Sequence, residues 1–488
     1  MAATAHFLVA GCTGSGKSVT IQLLMQSVLP KVESDAHSHR AIIYDSKQDL
    51  LPTLASILDP DQIVVLNPLQ RFGAAWDIAA DIDSPSVAFQ LAEVLIPVEK
   101  QASQPFFSDA ARHLLSGVFM ALKYLKGDEW TLRDALLSVR SAKTLKAFVE
   151  ACPHTEHLSV YFGEDRETAS ILSTIATKLS RFEAIAGAAE RCSRKVSLKK
   201  WVTERSVLVL MNDDVTRAAC DAFNQAIVQR LSQLLLGHPD NPKRRTWVFL
   251  DEVREAGKLE GLSSLLNRGR SKGVCVVLGF QDIEGLREVY GQHLANELIG
   301  QCGNKAILRL QSPETAKWAE GLAGTHLREE SSLSGGLSFG KPGQGDGGKG
   351  GGGGRNVGGS QSLNERKYAY DSEFLSLPFP EPTTLEGFYF LRNDFGKRAF
   401  NAFSLLSKPR LDVPRSLRRT GYEEEIVGPW TEDELNKLFK QIGATSPSAA
   451  TSSVAQNDDN LEEPRVATEE ETNRVLKVLK NFRAYKKS

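Results

Sequence analysis

A glycine-rich octapeptide, Gly11-Cys-Thr-Gly-Ser-Gly-Lys-Ser18, places the strongest constraint on the fold of this chain. It follows a short apolar run at 6–10 and precedes an apolar helical pattern at 19–28. Such a turn between a strand and a helix lets backbone N–H groups surround phosphates, while its lysine reaches the outer phosphates and its hydroxyl binds Mg²⁺. In a chain of 488 residues with average composition, the pattern would arise by chance with a probability of about 0.02. The motif therefore predicts a site for ATP and Mg²⁺.

Each ligand-binding role of this phosphate loop, residues 11–18, can be assigned to a residue. Lys17 is the candidate for contacting the outer phosphates, and Ser18 is the candidate for binding the metal. A glycine-rich turn without a ligand is the alternative, and the flanking strand and helix patterns count against it. The predicted nucleotide-binding residues are Gly11, Thr13, Gly14, Ser15, Gly16, Lys17, Ser18 and Val19.

Apolar runs that alternate with helical patterns predict an α/β fold with a doubly wound sheet. From about residue 75 the apolar spacing changes to three and four residues, which predicts an all-helical domain inserted into the sheet domain. Two runs near the end, 387–392 and 398–403, predict a hairpin at the sheet edge. The predicted strands of the sheet lie at 6–10, 41–45, 62–66, 206–211, 246–250, 274–278 and 305–310.

These patterns divide the chain into four parts. Residues 331–362 contain a run of glycines and almost no apolar side chains, which predicts a flexible loop within the last part of the sheet domain. The predicted parts are the first and second parts of the sheet domain, 1–74 and 198–408, the all-α insertion, 75–197, and a partly disordered C-terminal extension, 409–488.

The C-terminal extension contains two helical patterns. Thr431 with Glu434 three residues later predicts a capped amphipathic helix at 430–442 that docks locally. Lysines and arginines at 473–487 form a second, basic pattern. This tail is either a contact for phosphates or a partner, or a solvated helix with a favourable basic C-terminus.

A second strand end supplies the carboxylates that hydrolysis requires. The run Trp247-Val-Phe-Leu250 is apolar and is followed directly by Asp251 and Glu252. Ligands of open parallel sheets collect at the carboxyl ends of the strands. Asp251 is therefore the predicted partner of Ser18 in holding Mg²⁺, and Glu252 is the predicted base for the attacking water. An acidic strand end alone is a weak signal, but its combination with the phosphate loop is strong.

Two further residues are candidates for the catalytic site. Gln281 follows the apolar run 274–278 and Gly279-Phe280, where it either contacts the water and the outer phosphate or only begins a helix. Arg270 lies in a basic turn before that strand. It either reaches a neighbouring subunit's ATP or contacts solvent or a phosphate backbone.

The order of these motifs resembles the type IV coupling proteins, the DNA-translocating ATPases of conjugation and secretion. The resemblance spans roughly residues 6–405. The motifs that carry it are the phosphate loop, Ile43-Tyr-Asp45, Leu66-Asn-Pro68, Ala75-Trp-Asp77, Phe249-Leu-Asp-Glu252, Leu265-Leu-Asn-Arg-Gly-Arg-Ser-Lys-Gly273 and Val276-Val-Leu-Gly-Phe-Gln281.

This resemblance implies a RecA-like P-loop ATPase with an all-helical insertion that assembles as a homo-hexamer around single- or double-stranded DNA. It implies that Arg270 is a finger acting on a neighbouring subunit and that Gln281 is a sensor. It further implies DNA-stimulated hydrolysis, with a relaxase and components of a type IV secretion channel as partners. Members of this family usually carry transmembrane helices before the phosphate loop, whereas ten residues precede Gly11 here. We therefore expect either that this sequence starts inside a longer reading frame or that the protein is a soluble relative of the family.

Composition limits where the protein acts and how it contacts DNA. The formal net charge is −1, so any sequence-independent contact with DNA must be local. The six cysteines are scattered without a CxxC pair, which predicts reduced thiols. No run approaches the roughly 18 apolar residues of a membrane helix. The expected location is the cytoplasm, with peripheral recruitment to the inner membrane.

Two other functions remain open from the residues alone. One is a cytoplasmic DNA translocase of the FtsK and HerA kind, against which the helical insertion after Asn67-Pro68 argues. The other is a docking receptor that uses nucleotide as a switch and passes protein substrates to a secretion channel. Glu252 argues for turnover rather than for a simple switch.

Overall fold

The structure is a computed structural model that describes residues 5–34, 37–97, 105–163, 165–241, 243–337, 355–391, 394–419 and 426–442. Side chains at 327–337, 355–364 and 439–442 are outside this description. The strands are β1 (Phe7–Ala10), β2 (Ser38–Asp45), β3 (Ile63–Val65), β4 (Ala75–Trp76), β5 (Lys195–Val196), β6 (Val207–Met211), β7 (Arg244–Leu250), β8 (Val274–Phe280), β9 (Asn304–Ile307), β10 (Thr325–Leu337), β11 (Arg355–Lys367), β12 (Leu385–Leu391) and β13 (Asp394–Phe400).

A nine-stranded sheet in the order β13-β12-β9-β1-β8-β7-β2-β6-β3 forms the centre of the sheet domain. The strands from β9 to β3 in this order pair in parallel, whereas β12 and β13 are antiparallel additions at one edge. β1, β6 and β8 carry no charged residue along their whole length, as expected for strands that helices cover on both faces. β1, β8 and β7 are neighbours in the sheet. The phosphate loop, Gln281 and Asp251 follow the carboxyl ends of these three strands, so they lie at the same end of the sheet.

Helices cover both faces of this sheet and form the insertion between β4 and β5. Short 3₁₀ helices lie at Leu29–Val32, Pro60–Gln62, Glu156–Phe162 and Ser180–Phe182. The α-helices are α1 (Lys17–Val28), α2 (Leu51–Ile57), α3 (Pro85–Leu95), α4 (Pro105–Lys126), α5 (Leu132–Ser138), α6 (Ala142–Ala151), α7 (Asp165–Leu179), α8 (Glu183–Ala189), α9 (Leu198–Trp201), α10 (Arg217–Gly237), α11 (Leu262–Arg268), α12 (Ile283–Tyr290), α13 (Gln292–Gln301), α14 (Pro313–Ala323), α15 (Asp371–Ser376), α16 (Ala402–Leu405) and α17 (Glu432–Ile442).

Alternate residues of the strands point into two different apolar cores. Leu8 and Ala10 of β1 join the larger core, which continues into the helical insertion. Val9 joins the smaller core, which includes Ile21 of α1. The period of two along a strand produces this division, and it confirms the doubly wound sheet. All six cysteines are free and buried.

The insertion is built around α4, which buries one face among its helical neighbours. At 22 residues, α4 is long enough to cross a bilayer by length alone. It nevertheless carries charges such as Asp109 and Lys123. Within the described residues, no helix combines the length and the apolar character that a membrane span requires. β4 and β5 pair in parallel where the chain leaves and rejoins the sheet domain, close to the predicted limits at 75 and 197.

A long hairpin corrects the prediction of a flexible loop at 331–362. Residues 331–337 and 355–362 belong to β10 and β11, which pair antiparallel from Thr325 opposite Lys367 to Leu337 opposite Arg355. An antiparallel ladder satisfies backbone N–H and C=O groups whatever the side chains are, so a lack of apolar residues does not exclude strands. The remainder of the predicted loop, 338–354, lies outside the described residues.

The first part of the C-terminal extension packs on the sheet domain. The backbone N–H of Arg410 donates to the carbonyl of Pro52 at 3.0 Å, and that of Arg419 donates to the carbonyl of Leu69 at 2.7 Å. These two backbone hydrogen bonds hold the first part of the extension on the surface of the sheet domain. The predicted partial disorder and the basic tail fall at 443–488, outside the described residues.

Helix α17 docks on the insertion and begins with the predicted cap. Glu434 N–H donates to Thr431 Oγ1 at 3.2 Å, and Thr431 N–H donates to Glu434 Oε2 at 2.7 Å, which confirms the capping box. Arg133 of α5 donates to both carboxylate oxygens of Glu434 and to the carbonyls of residues 428 and 429. Trp430 stacks on Phe148 at 5.8 Å between ring centroids. The extension thus connects the sheet domain to the insertion.

Replacing Trp430 by alanine is expected to release α17 from the insertion. The substitution removes the stack on Phe148 and the hydrogen bond from the indole Nε1 to Asp134, which measures 2.7 Å. Because Trp430 is half-buried, we expect a local loss of about 2 kcal/mol. Hydrogen exchange of the α17 amides should then accelerate, whereas Tyr124→Ala, which truncates an exposed ring of α4, should not change it. Unchanged exchange in Trp430→Ala would contradict this docking.

Candidate active site

The phosphate loop leaves β1 at Ala10 and enters α1 at Lys17. Its backbone is held from both neighbouring strands, because Gly11 N–H donates to the carbonyl of Phe280 at 3.2 Å and Cys12 N–H donates to that of Arg309 at 2.9 Å. No side chain caps the N-terminus of α1. The N–H groups of its first turn are therefore free to bind phosphate, and the helix dipole favours an anion there.

Glycine is required at Gly16, the last loop residue before α1. Its φ of +93° lies in the left-handed region that other residues rarely adopt. A Cβ at this position would lie 2.5 Å from Leu385 Cδ1. The predicted binding residues Gly11, Thr13, Gly14 and Ser15 share this loop with Gly16, and Lys17, Ser18 and Val19 form the first turn of α1.

Lys17 lies between the two carboxylates that follow β7. Its Nζ donates to the backbone carbonyl of Asp251 at 2.6 Å and to Glu252 Oε2 at 3.0 Å. The Lys17 and Glu252 side chains are only 6% and 5% exposed, respectively. The structure thus brings together three residues that the sequence predicted for one site, although more than two hundred positions separate Lys17 from the acidic pair.

The residues predicted to hold Mg²⁺ have a suitable geometry. Ser18 Oγ donates to Asp251 Oδ2 at 2.8 Å, which is close to the separation of roughly 3 Å between adjacent oxygen ligands of an octahedral Mg²⁺. Asp251 Oδ1 is buried and accepts no hydrogen bond. The site has two carboxylates, Asp251 and Glu252, and one lysine, Lys17. The resulting excess of negative charge favours binding of a divalent cation. These residues fit the metal.

Gln281 also reaches the phosphate loop. It follows the last residue of β8, and its Oε1 accepts a hydrogen bond from Thr13 Oγ1 at 3.1 Å. Because β8 lies between β1 and β7, the Gln281 side chain stands between the loop and the acidic pair. Gln281 can therefore touch a group bound by either of them.

Arg270 does not reach the phosphate loop of its own chain. It is exposed in the turn before β8, at the amino edge of the sheet. Burial lowers the pKa of His6, and the charge of Arg270 acts in the same direction, so Arg270 lies near the start of β1. Seven residues of β8 at about 3.3 Å each place it roughly 20 Å from Gln281.

Two residues beside the loop were not among the predicted site residues. Arg309 follows β9, next to β1, and its guanidinium lies 4.4 Å from the centroid of the Phe379 ring. The predicted strand at 305–310 included Arg309, whereas β9 ends at Ile307, so the prediction placed this residue within the strand instead of beyond its carboxyl end. Phe379 had no local signal, because it lies in the segment between α15 and β12 and approaches the loop only through the tertiary fold.

This fold and this site define a P-loop NTPase. A phosphate loop follows β1, an acidic pair follows β7, and the strand between them ends at Gln281. The chain belongs to the family described as the type IV secretion-system coupling protein DNA-binding domain, which matches residues 1–351. Family membership confirms the resemblance found in the sequence.

A curated relative and several solved structures are similar to this chain. The coupling protein TraD of Escherichia coli (strain K12) is 24% identical over 338 residues, which cover 67% of this chain and 45% of TraD. The chain thus spans less than half the length of that relative. An unbound form of the bacterial conjugative coupling protein TrwB has a TM-score of 0.65 at 20% identity, with 84% of this chain and 87% of that chain covered.

Structures of TrwB with bound nucleotides are similar to the same extent. The complex with the GTP analogue GDPNP has a TM-score of 0.64 at 20% identity and covers 85% of this chain and 88% of that chain. The complex with ADP and Mg²⁺ has a TM-score of 0.62 at 19% identity, with the same coverage. At these identities the likeness shows the fold, and it confirms the predicted α/β architecture.

Proposed function

We propose that this protein is an ATP-hydrolysing motor of the type IV coupling protein kind, which pumps or recruits DNA for conjugative transfer or type IV secretion. The observation that carries the proposal is the convergence of Lys17, Asp251, Glu252 and Gln281 at one sheet edge in a member of the coupling-protein family. The TrwB complexes with the ATP analogue ADPNP and with ADP and Mg²⁺ support ATP and Mg²⁺ as the ligands.

Each residue of the site has a defined role in this proposal. Lys17 moves from the carboxylates to the outer phosphates, which carry more negative charge, and Ser18 and Asp251 hold the metal. When bound, Mg²⁺ neutralises charge that develops on the phosphate oxygens. Glu252 accepts the proton of the attacking water, and Gln281 orients that water or contacts the terminal phosphate.

The motor acts as a homo-hexamer in this proposal, and Arg270 completes the site of a neighbouring subunit. Contacts with DNA are made to phosphates, so either single or double strands serve without base readout. A relaxase and type IV secretion channel components are the proposed partners, and they recruit the protein from the cytoplasm to the inner membrane.

Membership of the coupling-protein family favours this function over a translocase of the FtsK and HerA kind. The buried, lysine-paired Glu252 supports hydrolysis over a docking receptor that only switches with nucleotide.

The rate of ATP hydrolysis with and without DNA tests the motor proposal. We expect single-stranded or duplex DNA to raise the rate by roughly tenfold, equivalent to about 1.4 kcal/mol of the barrier. The stimulation should weaken steeply with added salt, because phosphate contacts release counterions. Lys17→Ala is the control and should be inactive with and without DNA. Hydrolysis without DNA binding or stimulation would overturn the motor and favour a receptor that passes protein substrates to a secretion channel.

A further inference from the structure

The positions of the catalytic groups set the direction in which a nucleotide lies on the loop. Asp251 and Glu252 follow β7 and Gln281 follows β8, and both strands lie on the same side of β1. The terminal phosphate must face these groups for hydrolysis. The nucleoside and the terminal phosphate are at opposite ends of a nucleoside triphosphate. The nucleoside therefore lies on the opposite side of β1, where β9 and β12 lie.

An aromatic side chain stands beside the phosphate loop on that opposite side. Ring carbons of Phe379 lie 4.0 Å from the position that a Cβ on Gly14 would occupy, and Pro380 Cγ lies 3.2 Å from the equivalent position on Gly16. The Phe379 side chain is 47% exposed. A large apolar ring is thus kept partly open to solvent next to the loop that binds the phosphates.

Arg309 holds the Phe379 ring in place. Its guanidinium lies over the ring, and its Nη1 donates to the carbonyl of Leu377, two residues before Phe379. Within the part of the chain that the structure describes, Arg309 Nε is buried without a hydrogen-bond partner. Burial raises the pKa of the Cys12 thiol while the charge of Arg309 acts against this, so the cation also lies close to the phosphate loop.

We propose that Phe379 is the platform on which the nucleobase stacks and that Arg309 is the positioning residue that holds the ring. This inference rests on the proposed function, because it assigns the nucleoside end of the same ATP site. Stacking uses the π-face that every base has and reads no base edge. The platform therefore accepts adenine and guanine alike.

Binding of nucleotides and of base-free inorganic tripolyphosphate to the full chain tests the platform. We expect Phe379→Ala to weaken ATP and GTP by about ten- to a hundredfold and to leave tripolyphosphate unchanged. Phe379→Trp should bind both nucleotides at least as well as the wild type. Phe379→Leu keeps the apolar packing against the loop but removes the π-face, so it should bind as weakly as Phe379→Ala. Phe106→Ala truncates a ring that is 49% exposed on the insertion, and it should change nothing.

Arg309→Ala separates positioning from phosphate binding. As a positioning change, it should raise the KM for ATP by a smaller factor than Phe379→Ala and leave both kcat and tripolyphosphate binding unchanged. Weaker binding of tripolyphosphate would assign Arg309 to the phosphates and overturn its positioning role. Equal ATP affinity in Phe379→Ala, Phe379→Leu and wild type would overturn the stacking role of Phe379 and leave the proposed function standing. Absence of ATP hydrolysis by the wild type would instead overturn the proposed function.

Discussion

Glu252→Gln is expected to bind ATP as the wild type does and to hydrolyse it about 10²- to 10⁴-fold more slowly. The Glu252 side chain is 5% exposed, and its Oε2 accepts a hydrogen bond from Lys17. Glutamine has the same shape and can still accept that bond, so the site should keep its structure. It cannot take a proton from the attacking water, so only the chemical step should suffer. Single-turnover phosphate release and equilibrium binding of a fluorescent ATP analogue measure the two effects separately.

Glu255→Gln provides a matched control for this substitution. Glu255 lies three residues further along the same segment, has a side chain that is 39% exposed, and pairs with Arg217. The same chemical change at this position should leave single-turnover release unchanged. Release by Glu252→Gln at the wild-type rate would remove Glu252 as the base. Loss of ATP binding would show instead that the substitution had disturbed Lys17. The slow phosphate release could then not be attributed to the loss of a general base.

The candidate site at the carboxyl edge of the sheet could be predicted because each of its parts has a local signal. The phosphate loop has a fixed spacing of glycines, and Asp251 and Gln281 each follow an apolar run at the end of a strand. Since parallel strands end at the same edge, local signals in separate segments imply that their side chains meet. The capping box at Thr431 is local in the same way.

The parts that the sequence did not predict depend on contacts between distant segments. Backbone bonds from Arg410 to Pro52 and from Arg419 to Leu69 fix the extension on the sheet domain, and neither side chain reveals this in sequence. Phe379 next to Gly14 is a contact of the same kind. The β10–β11 hairpin depends on backbone pairing, which residue type scarcely encodes in Gly- and Ser-rich strands.

Arg270→Ala is expected to lower ATP hydrolysis by about 10³-fold or more, as the loss of an arginine finger does, while ATP binding persists. Arg270 is exposed at the amino edge of the sheet, and the length of β8 keeps it from the phosphate loop of its own chain. In the proposed hexamer it would therefore act on the site of a neighbouring subunit. Arg268→Ala removes another exposed arginine two residues away, and steady-state hydrolysis by that control should match the wild type.

Mixing two inactive variants distinguishes action on a neighbour from an indirect effect within one chain. Arg270→Ala subunits keep an intact phosphate loop, and Lys17→Ala subunits keep an intact Arg270. In randomly mixed rings with equal amounts of each, about a quarter of the interfaces would join an intact loop to an intact finger. Hydrolysis should therefore return on mixing, in proportion to those interfaces, although each variant alone is inactive. If mixing restores no activity while hexamers form, Arg270 does not act across the interface, and the ring would need another source for its transition-state cation.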